Sequence, residues 1–381
     1  MARPMVAGVG ATAFGRHPER TVVDLGAEAA RQALLDAGLR PDQIGLGFLA
    51  NALATSLFGD ATVGQNILWE VGINRIPVIN VENACTSGST AFYLACQAVA
   101  AGQTAAALVV GAEKMCVPEF GLIDSGKSEW ETQLGLVAPA SFALRARRHM
   151  AEFGTTTEDM ALVAVKNRAH AASNPLALFR EPITVAQVLE APMIVDPLTR
   201  LQCCPIADGA AAVVVLGPDL ARQVGAKVEV RCAVLGTGDY RSPQDLARWE
   251  TDYRVCGQAY EAAGLGPEDL DLVECHDAFS ISEILHYEAL GLCPAGEGGR
   301  FVREGHASLG GRVPVNPSGG LLSRGHPVGA TGVLQVVEVV RQLRGQAGPR
   351  QVPDAKIGLA HCMGGDKAGD TKSCTVAILG I

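Results

Sequence analysis

Four short stretches bring together residue types that could do chemistry: NACTSG around Cys85, HDAF around His276, GHPVGATG around His326 and HCMGG around Cys362. Cys85 stands between an apolar run and a long Ala-rich helical pattern, so it sits at the start of a helix. The dipole and free N–H groups there would lower its thiol pKa and favour the nucleophilic thiolate. His326 sits at the start of another helix, with Pro327 suited to the first helical position. A cysteine and a histidine brought together form a nucleophile and base pair. Cys362, expected just after a strand, is a second thiol that could move a proton to or from a carbon acid. The N–H of Gly364 could face a developing oxyanion, and His276 could donate to a substrate carbonyl oxygen.

Each residue also has a plain structural reading. A lone cysteine is usually a small buried hydrophobe, and His276 could simply be satisfied by Asp277 or by backbone. A zinc site from Cys275, His276, His361 and Cys362 is disfavoured, because adjacent strand residues point to opposite faces. No metal is expected.

The elements that must position these residues come from an internal repeat. Residues 29–52 and 255–278 align without a gap at an offset of 226, with Gln32/Gln258, Ala33/Ala259, Ala37/Ala263, Gly38/Gly264, Leu39/Leu265, Pro41/Pro267, Leu46/Leu272 and Ala52/Ala278 identical. Each copy reads as an amphipathic helix closed by glycine, a Pro-acid turn and an apolar strand. Residues 85–99 and 326–340 form a second pair, with Gly88 opposite Gly329, Thr90 opposite Thr331 and Cys85 opposite His326. Two such helix starts, related by a pseudo-twofold, would aim at one central place.

The chain therefore reads as two related βαβαβ halves in α/β layers. Strands are expected at 5–9, 44–49, 78–82, 107–111 and 211–216, then at 228–235, 272–275, 313–316, 357–360 and 375–379. The first half covers 1–115 plus 206–222 and the second 223–381. Residues 116–205 have no counterpart and read as an inserted lid domain.

Bulk properties narrow the function. At 381 residues, 48% hydrophobic and 19% charged, the chain is globular, and its net charge of −9 argues against a nucleic-acid binder. Arg145, Arg147 and Arg148 in RARRH could gather on one helix face and meet an anionic ligand. Eleven scattered cysteines without C-x-x-C pairs fit a reducing cytoplasm. Neither a signal-peptide layout nor a membrane span is expected.

Together NACTSG, HDAF, NPSGG…GHPVGATG and HCMGG, with DGAAAVVV at 208–215, resemble the thiolase superfamily over essentially the whole chain. HDAF and VDPLTRLQCCPIADGAAA are similar to its sterol-carrier-protein-type and archaeal-type branch, where other thiolases carry Asn-Glu-Ala-Phe. The resemblance implies a five-layer αβαβα fold with a loop domain over the active site. It implies a homodimer or dimer of dimers, and acyl-CoA and CoA as substrates with no bound cofactor. Cys85 would carry the acyl group, His326 would activate it, and Cys362 would be the acid/base at the α-carbon. His276 and His326 would form one oxyanion hole, the N–H groups of Cys85 and Gly364 the other. Phe279 of HDAF is a substrate-contact candidate. Some relatives place the acid/base cysteine in H-D-C-F; Ala278 stands there, so the role falls to Cys362. Members of this branch often pair with a small zinc-ribbon/OB-fold protein of the DUF35 type, which could complete the CoA surface.

The leading reading is a CoA-dependent thiolase. The alternatives are an acyltransferase or CoA-linked C–C lyase or aldolase on the same fold, and a non-catalytic scaffold or lipid carrier. Retention of Cys85 argues against the aldolases that lack it, and Cys85, His326 and Cys362 together argue against a scaffold.

Overall fold

The computed structural model describes residues 3–118, 121, 126, 128–241 and 244–381. The strands are β1 (Met5–Ala11), β2 (Leu46–Ala50), β3 (Val78–Val81), β4 (Ala106–Glu113), β5 (Met193–Val195), β6 (Leu198–Thr199), β7 (Gly209–Leu216), β8 (Val228–Gly236), β9 (Leu272–Glu274), β10 (Ile357–Lys367) and β11 (Asp370–Gly380). β2, β4 and β7 are buried along their whole length. Their continuous apolar runs, without polar alternation, are what strands covered on both faces require.

The two halves join edge to edge in the order β3-β2-β4-β7-β1-β8-β11-β10-β9. The seam is short, pairing Met5 with Glu229 and Val6 with Val228. Outward from it, β1, β7, β4 and β2 correspond to β8, β11, β10 and β9. The repeat is visible in the turns as well. The helices Val22–Ala37 and Glu250–Ala263 end at Gly38 and Gly264, both left-handed, with φ of 67° and 68°. Single turns of 3₁₀ helix at Pro41–Gln43 and Pro267–Asp269 follow.

Two expected strands differ. Residues 313–316, which occupy the place of β3, make only a bridge between Val315 and Val273. Pro314 and Pro317 lack amide donors and Asn316 has φ of 54°, so no ladder can extend there. β10 runs on to Lys367 because β11 pairs with it from Ile357 to Lys367. Cys362 is therefore inside a strand and not beyond its end.

Val22–Ala37 and Val63–Val71 cover the outer face of the first half, and Glu250–Ala263 covers β8 and β11 of the second. Ser87–Ala100 and Val328–Leu343 lie between the halves and pack on both, which completes the αβαβα layering. Val328–Leu343 is buried at every position except Arg341, as a helix apolar around most of its circumference must be. These central helices meet through glycine. A Cβ on Gly88 would come within 2.6 Å of the Gly329 carbonyl oxygen, and one on Gly332 within 2.6 Å of the Ser89 nitrogen.

Between β4 and β7 the chain forms the helices Ala138–Phe153 and Thr157–Ala171 and the β5–β6 hairpin. Buried polar contacts tie this segment to the second half. Lys166 pairs with Glu283 at 2.7 Å, and Asn167 donates to Asp277 and Glu283 at 2.7 Å each. Among the described residues no helix is long and apolar enough to cross a membrane.

The glycine contact predicts that Gly88→Ala destabilises the protein by about 1–3 kcal/mol, because backbone must move to admit the methyl group. Urea unfolding would measure it, and an unchanged midpoint would show that the crossing is not tight.

Candidate active site

Cys85 lies two residues before the Ser87–Ala100 helix, in a turn that aims it at the helix junction. Ala84 takes φ of 47°, uncommon for a residue with a side chain. Ser87 Oγ holds the turn, accepting from Asn83 N at 2.8 Å and donating to Ala84 O at 2.6 Å. His326 follows Gly325, whose φ of 97° lets the chain reverse. Pro327 is the N-cap of the next helix, one position earlier than the sequence pattern suggested.

His326 Nε2 is 3.3 Å from Cys85 Sγ. The other ring nitrogen sets its role. Thr331 Oγ1 donates to Pro327 O at 3.0 Å, so it accepts from His326 Nδ1–H at 2.7 Å. That leaves the Nε2 lone pair facing the thiol, the arrangement a general base needs. Thr331, matched to Thr90 in the repeat, is thus a positioning residue missed from sequence.

Cys362 Sγ lies 3.2 Å from Cys85 O and 3.4 Å from His276 Nδ1. The rings of His276 and His326 are 5.1 Å apart and nearly perpendicular. Gly364 presses on the Cys85 backbone: a Cβ there would sit 3.0 Å from Cys85 N and 2.9 Å from Thr86 N. Cys85, His276, His326, Cys362 and Gly364 thus meet at one place. Asp277 is not the partner of His276, since it accepts from the Leu321 and Leu322 amides.

The electrostatics correct one expectation. Burial pushes the Cys85 thiol up to about 12, with the Glu113 carboxylate adding to the rise against the N–H groups of Cys85 and Gly365. Burial, with Arg324 adding, takes His326 down to about 3. Helix-end stabilisation is outweighed by the loss of water, so the pair rests neutral. Glu113 ends β4 and accepts from Gly329 N at 2.9 Å, Ala52 N at 2.9 Å and Asn51 Nδ2 at 2.8 Å. Burial raises its pKa to about 7 against those donors. An acid closing the apolar run AALVVGAE was its only mark in the sequence.

Behind His276 lies a second unforeseen group. His286 Nδ1 contacts Asp252 Oδ2 at 2.7 Å and its Nε2 contacts His276 O at 3.1 Å, while His361 Nε2 lies 2.9 Å from Asp252 Oδ1. Burial would raise the Asp252 pKa, but the two imidazoles hold it well below the usual range. Cys85/His276/His326 and Asp252/His286/His361 each bring three possible metal-ligand atoms within 4.8 Å. Hydrogen bonds among themselves and with their neighbours engage both sets. The four residues weighed for zinc do not converge, as Cys275 Sγ faces Asn316 Nδ2 at 3.5 Å and His361 turns to Asp252.

Cys85, His276, His326 and Gly364 open on a cavity of about 1080 Å³, roofed by the inserted segment. Phe279 lines it, stacked on Phe142 at 4.3 Å, and Trp249 meets Phe142 edge-on at 5.9 Å. The arginine cluster does not form one face. Arg145 is buried beneath Trp249, 4.3 Å from the ring, and donates to Gly369 O at 2.7 Å. Arg147 turns outward to Asp196, and Arg148 to Glu152 and Asp245. Positions i, i+2 and i+3 spread around a helix, so only part of the cluster can face any one ligand.

Residues 5–219 match the thiolase N-terminal domain and 240–380 the thiolase C-terminal domain-like family. The benzoylsuccinyl-CoA thiolase subunit BbsB of Thauera aromatica is 40% identical over 368 residues, 94% of each chain. An acetyl-CoA acetyltransferase of Methanothermobacter thermautotrophicus is 40% identical over 366 residues, 94% of this chain and 96% of that one. The solved Ltp2-ChsH2(DUF35) aldolase superposes with a TM-score of 0.83 at 30% identity, covering 100% of this chain and 98% of that chain. The chain belongs to the thiolase family, in its sterol-carrier-protein-type and archaeal-type branch. It is an enzyme of the family's acyltransferase type.

A neutral resting pair predicts that iodoacetamide labels Cys85 at a rate still climbing above pH 9. Glu113→Gln removes a negative neighbour and should speed labelling at pH 8, whereas His326→Ala should slow it. A plateau near pH 7 in the unmodified protein would reveal a preformed thiolate and overturn the neutral-pair assignment.

Proposed function

We propose that the protein is a CoA-dependent thiolase, cleaving a 3-oxoacyl-CoA with CoA or running the reverse Claisen condensation through an acyl-Cys85 thioester. The observation that carries this reading is the 3.3 Å contact of Cys85 with His326 at the cavity wall, with Cys362 buried beside them, 3.2 Å from the Cys85 carbonyl.

In thiolysis, Cys85 Sγ attacks the 3-oxo carbon of the substrate as its proton passes to His326 Nε2. The oxyanion lies against the N–H groups of Cys85 and Gly364. Its collapse breaks the C2–C3 bond, and the electron pair leaves as the acetyl-CoA enolate, whose oxygen is held by His276 and His326. Cys362 gives its proton to C2, and acetyl-CoA departs. The Cys362 thiolate then takes the thiol proton of incoming CoA, whose sulfur attacks the acyl-Cys85 carbonyl. Acyl-CoA leaves, and Cys85 regains its proton from His326. Splitting the reaction at a covalent intermediate replaces one difficult step with two easier ones. Condensation is the reverse sequence.

The likeness to an aldolase supports a second reading, a CoA-linked C–C lyase. That route needs no acyl-cysteine, so intact-protein mass separates the two. Relatives described as a thiolase subunit and as a complex with a DUF35 protein support a small zinc-ribbon/OB-fold partner. A homodimer fits the sheet edge at β3, where Ile79 is exposed, and the nearby exposed Trp69. Eleven free cysteines fit a cytoplasmic setting.

Incubation with 3-oxoacyl-CoAs should add an acyl mass to the native protein and none to Cys85→Ala. Cys362→Ala should still be acylated by simple acyl-CoAs, yet lose about 10²–10⁴-fold in C–C cleavage, the usual contribution of a proton-transfer group. Normal thiolysis by Cys85→Ala would sink the proposal.

A further inference from the structure

Arg168, on the Thr157–Ala171 helix of the inserted segment, lines the same cavity as Cys85 and His326 and is only 8% exposed. Other buried arginines here have carboxylate partners: Arg145 has Asp366, Arg324 has Glu274 and Arg350 has Glu338. Among the described residues Arg168 has none. Its contacts are a long hydrogen bond from Nη1 to Glu181 O at 3.4 Å and the ring of Phe179, 4.4 Å from its guanidinium carbon. Burial pushes its pKa down with no acidic neighbour opposing.

The surroundings hold it close to the chemistry. Phe179 N donates to Ser323 O at 2.9 Å and Leu178 N to Arg324 O at 3.2 Å, so the ring under Arg168 is tied to the chain just before His326. The acids lining the cavity are already engaged: Asp366 by Arg145 and Glu131 by the Ala368 amide at 2.8 Å. Arg16 and Arg200 add positive charge to the lining. A desolvated guanidinium without a counter-ion is costly, and its planar fork matches two oxygens of a carboxylate or phosphate.

We propose that Arg168 is an oxyanion-recognition residue of the catalytic cavity, binding either a carboxylate at the far end of the acyl chain or a phosphate of CoA. This rests on the reading that the cavity takes acyl-CoA, so the test reads binding and not turnover. In a Cys85→Ala background, which keeps thioesters intact, calorimetry would compare adipyl-CoA, hexanoyl-CoA and hexanoyl-pantetheine, with and without Arg168→Gln or Arg168→Lys.

If the anion is the acyl carboxylate, Arg168→Gln should weaken adipyl-CoA about 10²-fold and leave the other two ligands within about threefold. If it is a CoA phosphate, both CoA esters should weaken alike and hexanoyl-pantetheine should not. Arg168→Lys should fall between, keeping the charge but losing the fork. Should Arg168→Gln not fold, Arg168→Lys and the adipyl-over-hexanoyl preference of the parent carry the test. Equal affinities in variant and parent, equal losses for all three ligands, or no binding by the parent would overturn the proposal. Acylation of Cys85 in the native protein reports separately on the thiolase reading.

Discussion

Cys85 and His326 are 241 residues apart in the chain and 3.3 Å apart in space, and what allows this is the absence of side chains where two helices cross. Ser87–Ala100 and Val328–Leu343 approach until the Gly88 Cα faces the Gly329 carbonyl and Gly332 faces Ser89. Glycine at Gly111 extends the contact, since a Cβ there would reach within 2.3 Å of the Gly329 oxygen. With larger residues the helices would stand apart, and Cys85 and His326 at their starts would not meet. The sandwich of two half-sheets supplies the apolar walls that press the helices together.

The same burial that assembles the pair also sets its chemistry. Burial weakens solvation of both side chains, so neither the thiolate nor the imidazolium is favoured at rest. Glu113 opposes thiolate formation at Cys85 while bonding the Gly329 amide at the other helix start. In the proposed reaction such a pair would stay unreactive until an electrophile comes within reach. In that reaction backbone N–H groups and two histidines would surround the developing negative charge, already oriented.

The inserted segment does two jobs in this architecture. It roofs the cavity with Phe142 and Phe179, and its buried Lys166 and Asn167 lock it to Asp277 and Glu283 in and beside the HDAF stretch. Arg168 is the next residue in that chain, and it turns to the cavity. Locking and recognition therefore share one helix, which makes the placement of Arg168 depend on the same network that orients the second half.

Much of this was legible in the amino-acid order because it is periodic or local. Apolar runs, the glycine stops at Gly38 and Gly264 and the 226-residue offset specify two matching halves. The pairing of Gly88 with Gly329 in the repeat already puts Cys85 opposite His326. What the order could not decide depends on solvent and on distant neighbours. Only the tertiary structure surrounds Cys85 with the groups that raise its pKa and carries β10 past Cys362 by pairing it with β11. It alone divides RARRH between the interior and the surface, and it sets Asp252 and His286 behind His276. Each of these outcomes turns on which groups lose water together, and that is a property of the packed chain rather than of any stretch within it.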